Sequence, residues 1–339
     1  MKRFSANDII FDMKNFWNEL PKPFFVLAPM EDVTDVVFRT VVAKAGRPDV
    51  FMSEFTNASS FCSEGKGEIS TRGRLKFLEE EQPMVAQIWG KNPDEFEKMA
   101  MGLAERGFAG IDINTGCPDK KVVKSGGGSA LIENPDLAVE LIKATKKSGL
   151  PVSVKTRLGV RSVDELQSWL PVLLKQNIVN LTVHLRTRKE MSVPPAHHEL
   201  IPEIIALRDE IAPQTKLTIN GDVRDRTHGL ELANQHPGID GLMIGRGIFA
   251  NPFAFNDSPQ GHDTDDLFAL LRFHLDQFDK FRVISPDLPH DDPRNLRKFD
   301  PLKRFLKIYV KGFPGAAELR AKLFECKTTD EIRKILNEN

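Results

Sequence analysis

Residues 151–185, PVSVKTRLGVRSVDELQSWLPVLLKQNIVNLTVHL, contain the repeating unit that decides the fold. The unit begins with PVSVKT and ends with VNLTVHL, two near-continuous apolar runs of the kind that suits parallel strands buried on both faces. Between them, SVDELQSWLPVLLKQN has the spacing of apolar residues expected of an amphipathic helix. This order of elements predicts two parallel strands that are joined by a helix.

The same unit recurs along the first three quarters of the chain. Helical patterns separate most of the apolar runs, and two of these helices begin with Asn-Pro-Asp, which places Asn at the cap and Pro at the first helical position. The eight predicted strands start at Phe24, Val50, Met84, Ala109, Pro151, Val179, Lys216 and Ile239. Eight such repeats over about 230 residues predict a (β/α)8 TIM barrel, placed at residues 23–255, with an open doubly wound sheet as the alternative.

Two further segments flank the predicted barrel. Residues 262–339 show helical periodicity without a good strand signal, which predicts a small C-terminal all-helical domain after the linker GHDTDD. Residues 1–22 predict a helical extension that packs on the barrel. The domain organisation is therefore an α/β barrel between two helical segments.

The bulk composition narrows the class of protein. The 339 residues carry a net charge of −1, and the three cysteines are widely spaced, so neither a disulfide framework nor a metal site is predicted. No run approaches the roughly 20 apolar residues that a membrane-spanning helix needs. We therefore expect a cytoplasmic protein without a membrane span or a metal. Its oligomeric state is open, and a monomer is compatible with the sequence.

Polar and glycine-rich residues follow the predicted strands, where barrel enzymes place their active sites. Lys155 lies within a strand, and a lysine is rarely buried without a polar or anionic partner. Glycine-rich loops after the seventh and eighth strands, at 220–222 and 245–247, together with Arg246, predict a phosphate site. A phosphate site, an inward lysine and an inward Gln87 together predict that the barrel holds flavin mononucleotide, FMN.

Six motifs in the chain resemble those of the tRNA-dihydrouridine synthases. They are APMEDVTDVVFR (28–39), VAQIWG (85–90), DINTGCPDKKVVKSGGGSALIENP (112–135), VKTRLG (154–159), NGDV (220–223) and MIGRGIFANPF (243–253). The resemblance implies an enzyme that uses FMN to reduce a specific uridine in tRNA to 5,6-dihydrouridine. It also implies that NADPH or NADH supplies the electrons.

The resemblance assigns roles to individual residues. Cys117 is implied to be the general acid that protonates uracil C5 while hydride reaches C6, which suits a thiol because it is mostly protonated at neutral pH. The residues implied to bind the cofactor are Pro29, Met30, Gln87, Lys155, His184, Asn220, Gly221, Asp222, Gly245 and Arg246. The residues implied to lie near the target nucleotide or the tRNA backbone are Asn114, Lys120, Lys121, Arg157 and Arg186.

Two features near these motifs carry separate expectations. Three consecutive glycines, 126–128, predict a pliable loop that acts as a mobile lid and becomes ordered on tRNA. After the sixth strand, Leu185 stands where many relatives have glycine, and residues 189–200 depart from the family pattern. This departure concerns contacts of the loop and the choice of uridine.

Basic residues are concentrated in the C-terminal segment 294–327. The segment contains ten lysines and arginines, including Arg294, against three acidic residues, so its net charge is 10 − 3 = +7. The residues predicted to contact tRNA are Arg297, Lys298, Lys303, Lys307 and Lys311. The last three recur every four residues and are expected to share one helix face. Contacts of this kind predict tRNA binding that weakens steeply with salt.

Two other enzyme classes remain open from the residues alone. An FMN barrel that reduces a small enone or pyrimidine would have the same cofactor site, but it would not need the basic segment. A non-redox barrel that binds a sugar phosphate would have the phosphate site without a flavin.

Overall fold

The computed structural model describes residues 15–63, 71–285, 293 and 295–338. Residues 1–14 of the predicted N-terminal extension lie outside this range, and so does Arg294 of the basic segment.

The centre of the protein is a nearly closed barrel of parallel strands. Its strands are β1 (Phe24–Leu27), β2 (Phe51–Met52), β3 (Thr56–Asn57), β4 (Met84–Trp89), β5 (Gly110–Asn114), β6 (Val152–Arg157), β7 (Asn180–His184), β8 (Lys216–Asn220) and β9 (Gly241–Ile244). The order in the sheet is β1-β9-β8-β7-β6-β5-β4-β2, and a bridge between Val26 and Val50 joins the two ends. All eight predicted strands are present, and the predicted TIM barrel is confirmed. The additional short strand, β3, pairs with the end of β4.

Helices lie between the strands and continue beyond the barrel. The helices associated with the barrel are α1 (Val36–Ala45), α2 (Ala58–Cys62), α3 (Pro93–Glu105), α4 (Lys120–Lys124), α5 (Pro135–Lys146), α6 (Leu166–Leu174), α7 (Ile201–Ile211), α8 (Arg226–Gln235) and α9 (Gly247–Ala250). Asn92 and Asn134 cap α3 and α5, with proline at the first helical position, as the sequence predicts. The C-terminal helices are α10 (Thr264–Lys280), α11 (Asp300–Lys303), α12 (Leu306–Tyr309), α13 (Ala316–Glu325) and α14 (Thr329–Glu338). In the described part of the chain, every helix is too short or too polar to cross a membrane.

The two sides of the barrel interior differ in polarity. Inward residues on β1, β2 and β9, including Val26, Met52 and Met243, form an apolar cluster. Alternate residues of a strand share one face, and on β5–β8 that face carries buried polar side chains such as Asp112, Thr182 and Thr218. This polar side of the interior leads to the carboxyl ends of the strands, where the predicted site residues lie.

Trp17 closes the apolar side at the opposite end of the barrel. A short 3-10 helix, Phe16–Asn18, places the Trp17 ring in the same cluster, with its centroid 5.5 Å from that of Phe24. Trp17 is buried, so this part of the N-terminal extension belongs to the barrel core.

The C-terminal helices pack on α1 through a buried aromatic cluster. The Phe38 ring of α1 stacks on Phe305 with centroids 4.6 Å apart, and His274 of α10 hydrogen-bonds the Tyr309 hydroxyl at 2.8 Å. Burial lowers the pKa of His274 to about 4, so the imidazole is neutral at physiological pH. This cluster fixes the helical segment beside the first strand-helix unit of the barrel.

The helix face expected for Lys303, Lys307 and Lys311 is not formed. The segment consists of two short helices, α11 and α12, and Lys311 follows the second. Lys303 is buried, and its ammonium donates to the Phe324 carbonyl at 2.8 Å. A lysine stem can cover apolar surface while its charge is held by a local acceptor, and here that acceptor is a helix backbone. The prediction that these three lysines share one exposed face is therefore wrong.

Candidate active site

A cleft of about 440 Å³ opens at the carboxyl ends of β1 and β6–β9. Nine of the ten residues predicted to bind a cofactor line it, namely Pro29, Met30, Lys155, His184, Asn220, Gly221, Asp222, Gly245 and Arg246. Arg186, which we predicted to be near the substrate, lies in the same cleft, and Gln87 does not line it. The volume is in the range of ordinary small-molecule sites, about 300–1,000 Å³.

Positive charge dominates the cleft. Its lining contains Lys155, Arg186, Arg224 and Arg246. Burial, followed by the charge of Arg157, lowers the pKa of Lys155 to about 8, so its ammonium is still mostly protonated at pH 7. The pKa of His184 is also lowered, first by burial and then by the surrounding cations, so its imidazole is neutral. Such a cleft favours an anionic ligand.

Asp222 holds two of these arginines in place. Its carboxylate accepts hydrogen bonds from Arg186 and, at 3.0 Å, from Arg246. Arg186 is buried and also contacts His184 Nε2 at 3.1 Å. A carboxylate repels a phosphate dianion, so the geometry favours a role for Asp222 in orienting arginines. The role of Asp222 in binding the cofactor stays a prediction.

Gly245 and Asn220 form the floor near these arginines. A Cβ atom at Gly245 would lie 3.4 Å from Ala28 Cβ and 3.9 Å from Met30 Sδ, so it would project into the cleft. The Asn220 Nδ2 donates to the Met243 carbonyl at 2.9 Å, which fixes its amide and turns its oxygen away from that carbonyl. Bare backbone at this point allows a ligand to approach closely.

Three arginines fasten the loop 187–198, which follows β7, across the cleft. Arg157 donates to the Met191 carbonyl at 2.7 Å, Arg246 to that of Ser192 at 3.2 Å, and Arg186 to that of Pro194 at 2.6 Å. These arginines come from β6, from the turn after β9 and from the turn after β7. The loop is therefore bound to several barrel elements through its main chain.

Arg157 is a buried clamp. Its Nε donates to the Gly116 carbonyl at 2.8 Å, and its Nη1 donates to the carbonyls of Thr187 and Met191. The side chain is buried, so its guanidinium joins the segment before Cys117 to the loop 187–198. The guanidinium is thus engaged by protein carbonyls, and the nearness of Arg157 to the target nucleotide or the tRNA backbone stays a prediction.

Cys117 lies in the turn after β5, and hydrogen bonds hold its backbone on both sides. Its N–H donates to Asn114 Oδ1 at 2.9 Å, and its carbonyl accepts from the N–H and the hydroxyl of Ser129 at 3.0 and 2.9 Å. Burial raises the pKa of the thiol above its ordinary value. The thiol is therefore protonated at neutral pH, as a proton donor must be.

Two of the three consecutive glycines beside Cys117, Gly127 and Gly128, are closely packed. A Cβ atom at Gly128 would lie 2.8 Å from the Cys117 carbonyl oxygen, and one at Gly127 would lie 3.0 Å from the Trp89 ring. Both glycines are buried, and the Gly126 and Gly127 amides donate to the carbonyls of Val123 and Val122. The prediction of a pliable lid is corrected at Gly127 and Gly128, where glycine is required because a Cβ atom would approach the Trp89 ring or the Cys117 carbonyl too closely.

Gln87 and Asn114 join Cys117 to the interior of the barrel. Asn114 Nδ2 donates to Gln87 Oε1 at 3.1 Å, and Gln87 Nε2 donates to Asp112 Oδ2 at 2.7 Å. Asp112 is fully buried and also accepts from the Ser153 hydroxyl at 2.6 Å. Gln87 keeps one N–H and one oxygen lone pair for another partner.

The basic residues predicted to contact tRNA have different surroundings. Lys120 and Lys121 are exposed on α4 next to Cys117, and Lys298 and Lys307 are exposed on the C-terminal segment. Arg297 pairs with Asp35 at the start of α1, and Lys311 donates to the Ala250 carbonyl. Arg297 and Lys311 thus connect the C-terminal segment to the barrel.

Comparison with known proteins identifies the chain's family. The family model described as Dihydrouridine synthase (Dus) matches residues 26–339. The chain belongs to the dihydrouridine synthase family. One relative, "Probable tRNA-dihydrouridine synthase 2" of Bacillus subtilis (strain 168), is 58% identical over 325 residues, which cover 96% of each protein. A "Probable tRNA-dihydrouridine synthase" of Staphylococcus aureus (strain COL) is 56% identical over 325 residues, which cover 96% of this chain and 95% of that protein.

The structural comparison agrees with the barrel. A 2-naphthoyl-CoA reductase in complex with 2-naphthoyl-CoA has a TM-score of 0.52 and 10% sequence identity, and the match covers 71% of this chain and 50% of that one. At this identity the likeness shows the fold alone.

Several residues of this dihydrouridine synthase family member were not predicted from the sequence. Arg224 and Ser192 line the cleft, and Asp112 is fully buried beside Gln87. Asp112 could have been found because it is two residues before Asn114 on one strand and so shares its face. In the described ranges, no group of three or more His, Cys, Asp and Glu side chains is placed to hold a metal ion.

Proposed function

We propose that this chain reduces a uridine in tRNA to 5,6-dihydrouridine, with FMN as cofactor and NADPH or NADH as electron donor. The observation that carries the proposal is the position of the Cys117 thiol in the turn after β5, at the same end of the barrel as the cationic cleft. Family membership and the names of the relatives support the reaction class. A tRNA substrate implies that the enzyme acts in the cytoplasm.

The residues of the cleft fit FMN. Gly245 leaves bare backbone where a Cβ atom would project into the cleft, and Arg246, Arg186 and Arg224 supply positive charge for a phosphate. In the proposal, Lys155 would hold the pyrimidine edge of the flavin, because its ammonium would favour negative charge on the ring. When bound, FMN supplies the hydride that reaches uracil C6.

Cys117 supplies the second half of the reduction. As hydride adds to C6, the C5–C6 double bond opens, and C5 takes the proton from the Cys117 Sγ–H bond. One hydride and one proton thus saturate the ring, and the thiolate left on Cys117 regains a proton from solvent. The raised pKa of the thiol supports this role because it keeps Cys117 protonated until hydride reaches C6.

The target base must reach this site from a folded tRNA. Unstacking and flipping a base costs a few kcal/mol, which contacts to the RNA backbone must offset. In the proposal, Lys120 and Lys121 beside Cys117, with Lys298 and Lys307 on the C-terminal segment, make these contacts. All four are exposed, whereas Lys303, Arg297 and Arg157 are engaged by protein groups.

The test is reduction of unmodified tRNA by purified protein that has been reconstituted with FMN and NADPH. Wild-type protein should form dihydrouridine, Cys117→Ala should lose turnover while it keeps flavin absorbance, and Cys62→Ala should retain both. The absence of flavin absorbance after reconstitution would contradict the cofactor. Equal activity on free uridine and tRNA would favour a small-molecule reductase, and full turnover by Cys117→Ala would remove the assigned acid.

A further inference from the structure

Asp112 is a buried ionisable group of the barrel interior that the proposed chemistry does not use. It lies on β5, is fully buried, and is paired in register with Gln87 on β4 and Ser153 on β6. Both neighbours donate hydrogen bonds to it, Gln87 Nε2 to Oδ2 at 2.7 Å and Ser153 Oγ to Oδ1 at 2.6 Å. Burying a carboxyl group is costly even when it is hydrogen-bonded, so the presence of one at this place calls for an explanation.

The hydrogen bonds from Cys117 to Asp112 have one possible direction. The N–H groups of Gly116 and Cys117 both point at one atom of Asn114, at 3.1 and 2.9 Å, and only the amide oxygen can accept from them. The Asn114 nitrogen therefore faces Gln87, which must present its oxygen. The Gln87 nitrogen then faces Asp112. This series of hydrogen bonds, from Cys117 through Asn114 and Gln87, is complete only if residue 112 accepts from the Gln87 N–H.

We propose that Asp112 is a positioning residue for Cys117, acting through Gln87 and Asn114 as the acceptor that fixes the orientation of both amides. An apolar residue at 112 would leave the Gln87 N–H groups without this acceptor. Both amides could then rotate, and Asn114 would no longer hold the Cys117 backbone. Asp112 does not touch the reacting atoms in this proposal. The claim that Cys117 orientation matters for turnover rests on the proposed function.

Because residue 112 must accept a hydrogen bond, two substitutions of Asp112 should have different effects. In Asp112→Asn, the new amide oxygen can still accept from Gln87, and its nitrogen can donate to Ser153 Oγ, so the orientation of the series is kept. In Asp112→Leu, a side chain of similar size cannot accept. Thr218→Val is a matched control, because it removes another buried hydrogen bond on the polar side, from Thr218 Oγ1 to Asn180 Oδ1 at 2.7 Å, which does not join this series.

The experiment measures alkylation of Cys117 by iodoacetamide, read from its peptide by mass spectrometry, with Cys62 of the same molecules as reference. If the turn is freed, the thiol becomes exposed to water and its pKa falls, because burial no longer disfavours the thiolate. The thiolate is the form that iodoacetamide alkylates, and each unit by which the pKa falls raises the thiolate fraction about tenfold. Asp112→Leu should speed alkylation of Cys117 by about tenfold and leave Cys62 unchanged. Asp112→Asn and Thr218→Val should remain within about twofold of wild type.

A double variant tests whether Asp112 acts through Asn114. If it does, Asn114→Ala should match Asp112→Leu, and the variant with both changes should be no faster than either one. Turnover provides the second readout: kcat on tRNA should fall about tenfold to a hundredfold in Asp112→Leu, as a small misplacement predicts, with KM within about twofold. If Asp112→Leu does not fold, Gln87→Met breaks the same series in its middle and should give the same alkylation result.

Three outcomes would overturn the proposal. The first is an alkylation rate of Cys117 in Asp112→Leu no higher than that in Thr218→Val. The second is additive effects of Asp112→Leu and Asn114→Ala on that rate. The third is an alkylation rate in Asp112→Asn as high as that in Asp112→Leu. Failure of wild-type protein to form dihydrouridine would instead contradict the proposed function. The alkylation series would then still decide whether Asp112 positions Cys117.

Discussion

Substitution of Gly128 by alanine separates close packing from loop mobility as the reason for the glycine run. Gly128 has φ +56°, and an added Cβ atom would lie 2.7 Å from Val122 Cγ1 and 2.8 Å from the Cys117 carbonyl oxygen. A left-handed backbone conformation costs a non-glycine residue about 1–2 kcal/mol. Overpacking adds about 1–3 kcal/mol. We therefore expect Gly128→Ala to lower the free energy of unfolding by about 2–5 kcal/mol.

Two other glycines are matched controls for this variant. Gly126 has φ +87°, but an added Cβ atom would meet only the flexible Lys91 side chain, at 3.2 Å, and Gly107 has φ +80° with no atom within 4 Å. Alanine at either position should cost only the backbone strain, about 1–2 kcal/mol. The difference of about 1–3 kcal/mol between Gly128→Ala and these controls isolates the collision with Cys117.

The assays are urea unfolding of all three variants and their turnover on tRNA. The Cys117 carbonyl must move when residue 128 gains a Cβ atom, and a shift of about 1 Å at a reacting group can cost a hundredfold in rate. Turnover should therefore fall in Gly128→Ala and remain near wild type in Gly126→Ala and Gly107→Ala. Equal losses of stability and turnover at residues 126 and 128 would refute the packing explanation and restore the mobile-lid interpretation.

Three further predictions concern other parts of the molecule. Burial, reinforced by the nearby charge of Asp35, raises the pKa of Glu54 from 4.5 to about 7. Because the folded state then binds the proton more tightly than the unfolded state, the free energy of unfolding should fall by at most about 3 kcal/mol as pH rises from 4.5 to 7. Urea unfolding across that pH range should show a smaller fall in Glu54→Gln. Alanine at both Lys120 and Lys121 should reduce the dependence of log K for tRNA on log salt by about 2, whereas Lys303→Ala should leave that slope unchanged and lower the melting temperature. Trp17→Ala should lose about 3–5 kcal/mol of stability in urea unfolding without changing the flavin spectrum, and an unchanged midpoint would show that the barrel does not need this residue.

The strands could be predicted because their periodicity is local. Eight apolar runs indicated eight parallel strands, and the position of Lys155 within one of them indicated a side chain that faces the site. Both statements depend on residues that are adjacent in sequence. The placement of Lys155 in the cleft follows from the alternation of side chains along β6.

Contacts between distant residues could not be predicted in the same way. Lys303 is buried because a carbonyl 21 residues further along, that of Phe324, accepts from its ammonium. Arg157 is a clamp because two loops from different strands present carbonyls to it. A lysine or arginine that contacts RNA and one that donates to a protein carbonyl can have the same charge and spacing in the sequence. Only the folded structure shows which of the two contacts is made.

The fastening of the loop 187–198 has a consequence for how the enzyme can vary. Arg157, Arg186 and Arg246 bind main-chain carbonyls, and every residue type presents the same carbonyl. Exposed side chains of the loop such as Val193 can therefore change while its course is retained, whereas the pairs Arg188–Glu133 and Glu190–His197 add side-chain contacts of their own. It follows that a loop of equal length from a relative should fit on this barrel, provided that it keeps these side-chain pairs.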